Sequence, residues 1–232
     1  MKSRIYIDTC CVIQSVKGSI DNRDGFSQRD LDYIKMILEA GLKGDVKLFT
    51  SSVTVTECLH TGDGTNIPED AKRLFKTVLT SGHIMTLKYV DLFVVERARD
   101  FRWVHGINLK PLDSIHLASA LETKCDEFWT GDCFGGVEDE KRKHLSETFD
   151  IRVILPSETT LLPSDYKQRN LFEHAPKQIG GASKLRIRKK RGLSEVSKIT
   201  AETLSKIGDL IPSDENEESS QSKRISIDSK KE

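Results

Sequence analysis

Short apolar runs alternate with helix-spaced patterns over the first 156 residues of the chain. The runs RIYID (4–8), VKLFT (46–50), IMTLKY (84–89), EFWTGD (127–132) and IRVIL (151–155) are brief and rich in Ile, Val and aromatic residues. Each is bounded by polar residues or glycine, which predicts strands. Between them, residues 28–43 space Leu31, Ile34, Ile37, Leu38 and Leu42 at helical intervals. Residues 52–61 follow a Ser51-Ser52 capping signal, and residues 68–81 open with Pro-Glu-Asp, a favourable first turn. Helical patterns at 91–104 and 111–124 complete the set. Strands separated by helices need crossover connections, so the fold class is α/β, with a mainly parallel sheet covered by helices on both faces. Ligands of such sheets bind beyond the carboxyl ends of the strands.

Beyond Pro163 the pattern changes. Residues 164–183 keep no sustained period, and KLRIRKKR (184–191) then carries six basic residues in eight positions. Residues 194–211 set Val196, Ile199, Leu204 and Ile207 on roughly one face behind Ser194, which predicts a short amphipathic helix. The closing SDENEESSQSKRISIDSKKE has too few apolar residues to bury a core. The reading is one domain over 1–160 and a basic, low-complexity, largely disordered tail over 161–232. Charge divides the same way. The 36 Lys and Arg of the 232-residue chain equal its 36 Asp and Glu, yet residues 1–160 hold 21 basic against 25 acidic and residues 161–232 hold 15 against 11. An acidic front and a basic back suggest separate roles.

Composition removes several classes. No apolar run approaches the ~18–20 residues that span a bilayer, and a strand pattern beginning at Arg4 leaves no room for a signal peptide. Cys10, Cys11, Cys58, Cys125 and Cys133 are odd in number and form no C-x-x-C pair, which argues against a disulfide scaffold or structural zinc. The expectation is a soluble cytoplasmic protein with no membrane partner.

Four acidic residues stand where the pattern gives them meaning. Asp8 ends the first strand and Asp132 closes EFWTGD; Glu57 lies in the helix after the second strand, and Asp113 opens the helix in KPLDSIHLASAL. Singly, each has a plain explanation as a turn residue, a helix N-terminal charge or a solvated carboxylate. Together at one sheet end they are costly, because two charges ~4 Å apart repel by about 4 kcal/mol at an effective dielectric of 20. Such a cluster persists by raising pKa values or by holding a cation. Oxygen ligands suit Mg²⁺ or Mn²⁺, ions that serve phosphate chemistry.

The segments IYIDTCCVI, SSVTVTECLH and, above all, KPLDSIHLASALETKCDEFWTGD resemble the PIN-domain family, in particular its VapC-like stand-alone type, over about residues 3–156. The resemblance implies a Rossmann-like sheet and an Mg²⁺- or Mn²⁺-dependent endoribonuclease. Asp8, Glu57, Asp113 and Asp132 would be its catalytic and metal-holding residues, with Thr9 and Thr130 hydrogen-bonding the carboxylates or their waters. Asp8 and Asp113 would hold metal most directly, and Glu57 would bind a second ion or orient the attacking water. It also implies an RNA substrate and a cognate antitoxin if the protein is the toxin of a toxin–antitoxin pair; a homodimer is left open, since the sequence does not reveal the oligomeric state. Two features depart from the family: Phe134 stands two rather than three residues after the last Asp, and nothing in VapC-like toxins corresponds to the tail.

Other constellations compete. Glu57-x-x-His60 and Asp113-x-x-His116 have di-iron spacing, but five strand-like runs break the required four-helix bundle. Cys10 and Cys11 lack a His–Asn/Asp pattern for a thiol nucleophile and read as small packing residues, while Trp103 and Trp129 read as core. The basic run 184–191 reads as a solvated linker, a nucleic-acid patch, or a strip that meets the acidic site in cis. Two functions therefore stand side by side: a metal-dependent ribonuclease, and a catalytically dormant module that binds nucleic acid or protein.

Overall fold

The computed structural model describes residues 2–17, 26–58, 69–132, 134 and 140–167, all within one compact unit. The tail from 168 onward, including the basic run and the 194–211 segment, lies outside the described residues, as do His60 and Cys133. Five strands form one sheet: β1 (Arg4–Ile7), β2 (Lys47–Ser51), β3 (Met85–Lys88), β4 (Glu127–Trp129) and β5 (Arg152–Ile154). Their order is β3-β2-β1-β4-β5 and every pairing is parallel. The helices are α1 (Thr9–Lys17), α2 (Gln28–Leu42), α3 (Ser52–Glu57), α4 (Glu69–Thr80), α5 (Leu92–Trp103), α6 (Pro111–Glu122) and α7 (Glu140–Thr148). This is the α/β arrangement with a parallel sheet that the alternating pattern predicts, and the Rossmann-like sheet that the family resemblance implies. Among the described residues, no helix is long and apolar enough to cross a membrane.

Register explains how the strands bury both faces. Phe49, Tyr6, Phe128 and Val153 are partners across β2, β1, β4 and β5. This row belongs to a core cluster with Val94 and Phe101 of α5, Leu117 of α6 and Leu145 of α7. Neighbouring residues on a strand point the opposite way, so Ile5, Ile7, Glu127 and Trp129 share the other face, all of them buried. Chain order turns back between β1 and β4. The residues just beyond these two strands therefore lie at the topological switch point, where open parallel sheets bind ligands.

Local chemistry sets the helix starts. Ser27 and Asp30 form a reciprocal capping box at α2, and Ser51 accepts from the Val53 amide at the start of α3. The sequence pattern missed two helices. α1 opens directly on Thr9-Cys10-Cys11 with no spacer after the strand, and α7 buries only Arg142 and Leu145, too few positions to mark a period. Trp103 is corrected from core to surface: it is 74% exposed at the end of α5, with the Arg99 guanidinium over its ring. It stands two residues past buried Phe101, roughly 200° round the helix, and so turns away from the sheet.

The chain after β5 folds back onto the sheet around a buried acid. Glu127 is wholly buried, and its carboxylate accepts from Arg152 Nη1 (2.6 Å), Thr159 Oγ1 (2.6 Å) and Trp129 Nε1 (2.9 Å). Further on, Leu162 and Tyr166 are buried, and the Tyr166 hydroxyl donates to Asp45 Oδ2 at 2.6 Å. Replacing Glu127 by Ala leaves a buried indole N–H and a half-exposed guanidinium without their acceptor. We expect Glu127→Ala to cost on the order of 2–4 kcal/mol in urea unfolding, with Trp129 fluorescence reporting the change. An effect under about 0.5 kcal/mol, the range of an ordinary surface substitution, would show that the clasp contributes nothing.

Candidate active site

Asp8 follows β1 by one residue and precedes the first turn of α1. Its Oδ1 accepts from the Thr9 amide (2.7 Å) and its Oδ2 from the Thr130 hydroxyl (2.7 Å) and the Cys10 thiol (3.3 Å). Thr130 reaches it because Ile7 and Trp129 are register partners, which makes the next residues of β1 and β4 neighbours as well. The Thr130 hydroxyl also accepts from the Asp132 amide at 3.0 Å, so one side chain ties both acidic segments together. Gly131 between them admits the Phe26 ring, which would lie 2.4 Å from a Cβ there.

Glu57 ends α3 and reaches across to α6. Its Oε2 accepts from His116 Nε2 at 2.7 Å and from the Thr9 hydroxyl in a short hydrogen bond. Burial alone raises the Glu57 pKa, but the His116 and Thr9 hydrogen bonds, with the charge on His116, outweigh it and hold the carboxyl below its ordinary value. His116 is 2% exposed. Burial lowers its pKa, and the bond to Glu57 together with the charges of Asp8, Glu57 and Asp113 overcomes this and raises it. Its other nitrogen, Nδ1, lies 2.8 Å from the buried Tyr6 hydroxyl.

Asp113 and Asp132 complete the acidic end. Asp113 is the third residue of α6, whose first turn is set by Pro111. Its Oδ2 is buried and has no hydrogen-bond partner among the described residues. Burial, then the charges of Asp132 and Asp8, push its carboxyl up to about 6. Asp132 caps its own turn, Oδ1 accepting from the Phe134 amide at 2.8 Å, while Oδ2 lies 3.9 Å from the exposed Lys110 ammonium. Phe134 has φ 53°, the left-handed turn conformation that such an Asp cap supports.

The residues fit a hard divalent cation by donor chemistry. The donors are carboxylate oxygens, and one of them, Asp113 Oδ2, is desolvated, unsatisfied and within electrostatic reach of two further acids. Among the described residues, no group of three or more His, Cys, Asp or Glu stands close enough together to hold a metal ion ready-made. A cavity of about 690 Å³ lies elsewhere, lined by Arg97, Lys124, Asp126, Phe149 and Arg152 near the amino ends of β4 and β5. It includes none of the acids discussed here, and chemistry rather than cavity size marks the site.

Asp8, Glu57, Thr9, Thr130 and, through its amide, Asp132 join one hydrogen-bonded network, and Asp113 is coupled to Asp132 and Asp8 through charge. The sequence reading takes His116 as a buried or helix-face histidine, and it is buried, but gives it no place at the site. It takes Cys10 as small packing and does not single out Tyr6. Cys10 is not simple packing: its sulfur contacts Asp8 and accepts from the Gly131 amide at 3.3 Å. His116 was visible three residues after Asp113, one turn along the same helix, but its partners Glu57 and Tyr6 come from distant parts of the chain.

Comparison with known proteins matches a family model described as PIN domain to residues 5–133, more than half of the chain. A comparison with curated proteins finds no match.

The raised Asp113 pKa has a consequence for stability. An Asp titrates at about 3.9 in an unfolded chain, so here the native state holds the proton more tightly. The stability linked to that proton is present below about pH 4 and is lost as pH rises through about 6. We expect Asp113→Asn to melt higher than wild type in EDTA at about pH 7 and at the same temperature at about pH 4. A variant that melts lower than wild type at neutral pH would remove the case for a strained carboxylate.

Proposed function

The chain belongs to the PIN domain family, and on that premise we propose that it is a divalent-metal-dependent endoribonuclease that hydrolyses RNA phosphodiester bonds. The family is made up mostly of nucleases, which supports a nuclease at the coarse level. The single observation that carries the finer reading is Asp113 Oδ2, a buried carboxylate oxygen that has no hydrogen-bond donor among the described residues and feels the charge of two further acids. A structural acid is given donors, as Glu127 is; an acid left without them suits a cation. Asp8, Asp113 and Asp132 would hold Mg²⁺ or Mn²⁺, which when bound neutralises charge on a phosphate and lowers the pKa of a water.

The protein's own groups have distinct tasks in this reading. Thr130 and the Thr9 amide fix the Asp8 carboxylate, and the Phe134 amide fixes Asp132. Lys110 stands beside Asp132, fully able to meet a phosphate from solvent. Glu57, already satisfied on one oxygen, is assigned to the attacking water rather than to the cation. The RNA preference and the narrower role as a toxin silenced by an antitoxin come from the likeness of residues 109–132 to VapC-like proteins. A small neighbouring gene for a DNA-binding antitoxin would support that role.

One observation favours the second reading, a dormant module for binding nucleic acid or protein: the described acids are not gathered at metal-holding distances. Cleavage assays separate the two. We expect wild type to cut single-stranded RNA in Mg²⁺ or Mn²⁺ and not in EDTA. Asp8→Asn and Asp113→Asn should each slow cleavage by roughly 10²–10³-fold, the scale on which loss of one electrostatic stabiliser acts. Mg²⁺ should raise the wild-type melting temperature and leave both variants unmoved, since only native wild type binds it. RNA binding without cleavage in either metal would establish the dormant module instead.

A further inference from the structure

We propose that His116 is a positioning residue that holds the Glu57 carboxylate in the orientation needed to receive the attacking water. The inference rests on the nuclease reading and goes beyond it, because it assigns a task to a residue outside the acidic set.

The geometry runs in one line from the core to the site. Tyr6 is fixed in the central strand, its ring stacked on Phe128 with centroids 5.2 Å apart. Its hydroxyl meets His116 Nδ1 at 2.8 Å, and His116 Nε2 meets Glu57 Oε2 at 2.7 Å. A carboxylate only accepts, so Nε2 carries the proton and donates. Both ring nitrogens are thus committed, and at 2% exposure there is no solvent to replace either partner. Asp8 Oδ1 lies 3.8 Å from the same nitrogen, beyond hydrogen-bond length, so the imidazole serves Glu57 and leaves Asp8 to Thr9 and Thr130.

The direction of the clamp gives it meaning. His116 and the Thr9 hydroxyl both engage Oε2, and among the described residues none hydrogen-bonds Oε1. One oxygen is held, and the other is presented by a side chain whose rotation is blocked. A packing role alone is a poor use of this position. Burying an imidazole and a phenol costs solvation that a Leu–Phe pair would not, and the arrangement recovers it only by ending on a functional carboxylate. It has the form of a partner that orients a working group through its second ring nitrogen.

The test is single-turnover cleavage of single-stranded RNA at saturating Mn²⁺ by full-length wild type, His116→Leu, His116→Gln, Glu57→Gln and the His116→Leu/Glu57→Gln double variant. We expect His116→Leu to slow cleavage on the order of 10–100-fold, as loss of an orienting partner does. His116→Gln, which keeps an N–H donor, should recover most of the rate. The double variant should be no slower than Glu57→Gln alone, because both changes act through one carboxylate. Mn²⁺ affinity, read from the rise in melting temperature, should stay within about threefold of wild type in His116→Leu, since positioning and metal binding are separate tasks here. If His116→Leu does not fold, Tyr6→Phe keeps the ring stack, removes only the anchor hydroxyl, and should show a smaller loss of rate with unchanged Mn²⁺ affinity. Multiplying rate losses in the double variant, no recovery with Gln, or a matching fall in Mn²⁺ affinity would each overturn the positioning role. Wild type that never cleaves overturns the nuclease reading and this inference together; wild type that cleaves no faster than His116→Leu overturns this inference alone.

Discussion

β1 and β4 lie side by side and parallel, although 119 residues separate Asp8 from Glu127 in the chain. Every feature of the acidic end depends on that pairing. It aligns Ile7 with Trp129, so that Asp8 and Thr130 leave the sheet together and join through a 2.7 Å hydrogen bond. It also places the Tyr6 ring on Phe128, which fixes the hydroxyl that anchors His116. Because side chains alternate along a strand, a slip of one residue would send Tyr6 to the opposite face and leave His116 without its anchor. The pairing is held by apolar burial on both faces, and the polar site is set on it as a consequence.

The protein treats its buried acids in two ways. Glu127 has an Arg, a Thr and a Trp donor, and its role ends in holding the returning chain against the sheet. Asp30 is similar: its carboxylate accepts from the Ser27 amide and hydroxyl and from the Ser157 amide, and its pKa lies below the ordinary value because these bonds outweigh burial. Asp113 Oδ2 has no such donor among the described residues, and the pKa of this acid moves the other way. The opposite shifts of Asp30 and Asp113 separate an acid that stabilises the fold from one that strains it, and strain of this kind is concentrated where a ligand supplies the missing charge.

Much of this was readable in the sequence, for identifiable reasons. The five strands are short runs of Ile, Val and aromatics with clear boundaries, and buried parallel strands leave that mark. Asp8, Asp113 and Asp132 stand at strand ends and a helix start, which share one edge in an α/β chain; Glu57 instead ends the six-residue α3 and comes to the same edge because that helix is short. What failed lacked a local signal. α7 follows the polar Glu138-Asp139, opens on Glu140 and has Leu145 as its sole large apolar residue, so no stripe exists to read. Trp103 is as apolar as a core residue, and only the helix phase relative to Phe101 turns it to solvent. The Glu57–His116 bond joins residues 59 apart. Spacing within α6 shows that His116 shares a face with Asp113, but no spacing shows what that face meets.

β4 carries this division on a single strand and the turn that leaves it. Glu127 begins β4 and is saturated with donors; Asp132, five residues on, keeps one oxygen on its turn and shows the other to an exposed lysine. The strand is only three residues long, so its two ends are rigidly related. Glu127 resists movement at the amino end by ordering Arg152 and Thr159. Trp129 ends the same strand and Thr130 follows it, and the Thr130 hydroxyl donates to the Asp8 carboxylate and accepts from the Asp132 amide. A satisfied acid thus anchors the strand that leads into the acidic end, where Asp113 Oδ2 is unpaired among the described residues. Repulsion among Asp8, Asp113 and Asp132 would otherwise relax by moving the loop, and the site would lose its arrangement before any ligand arrived.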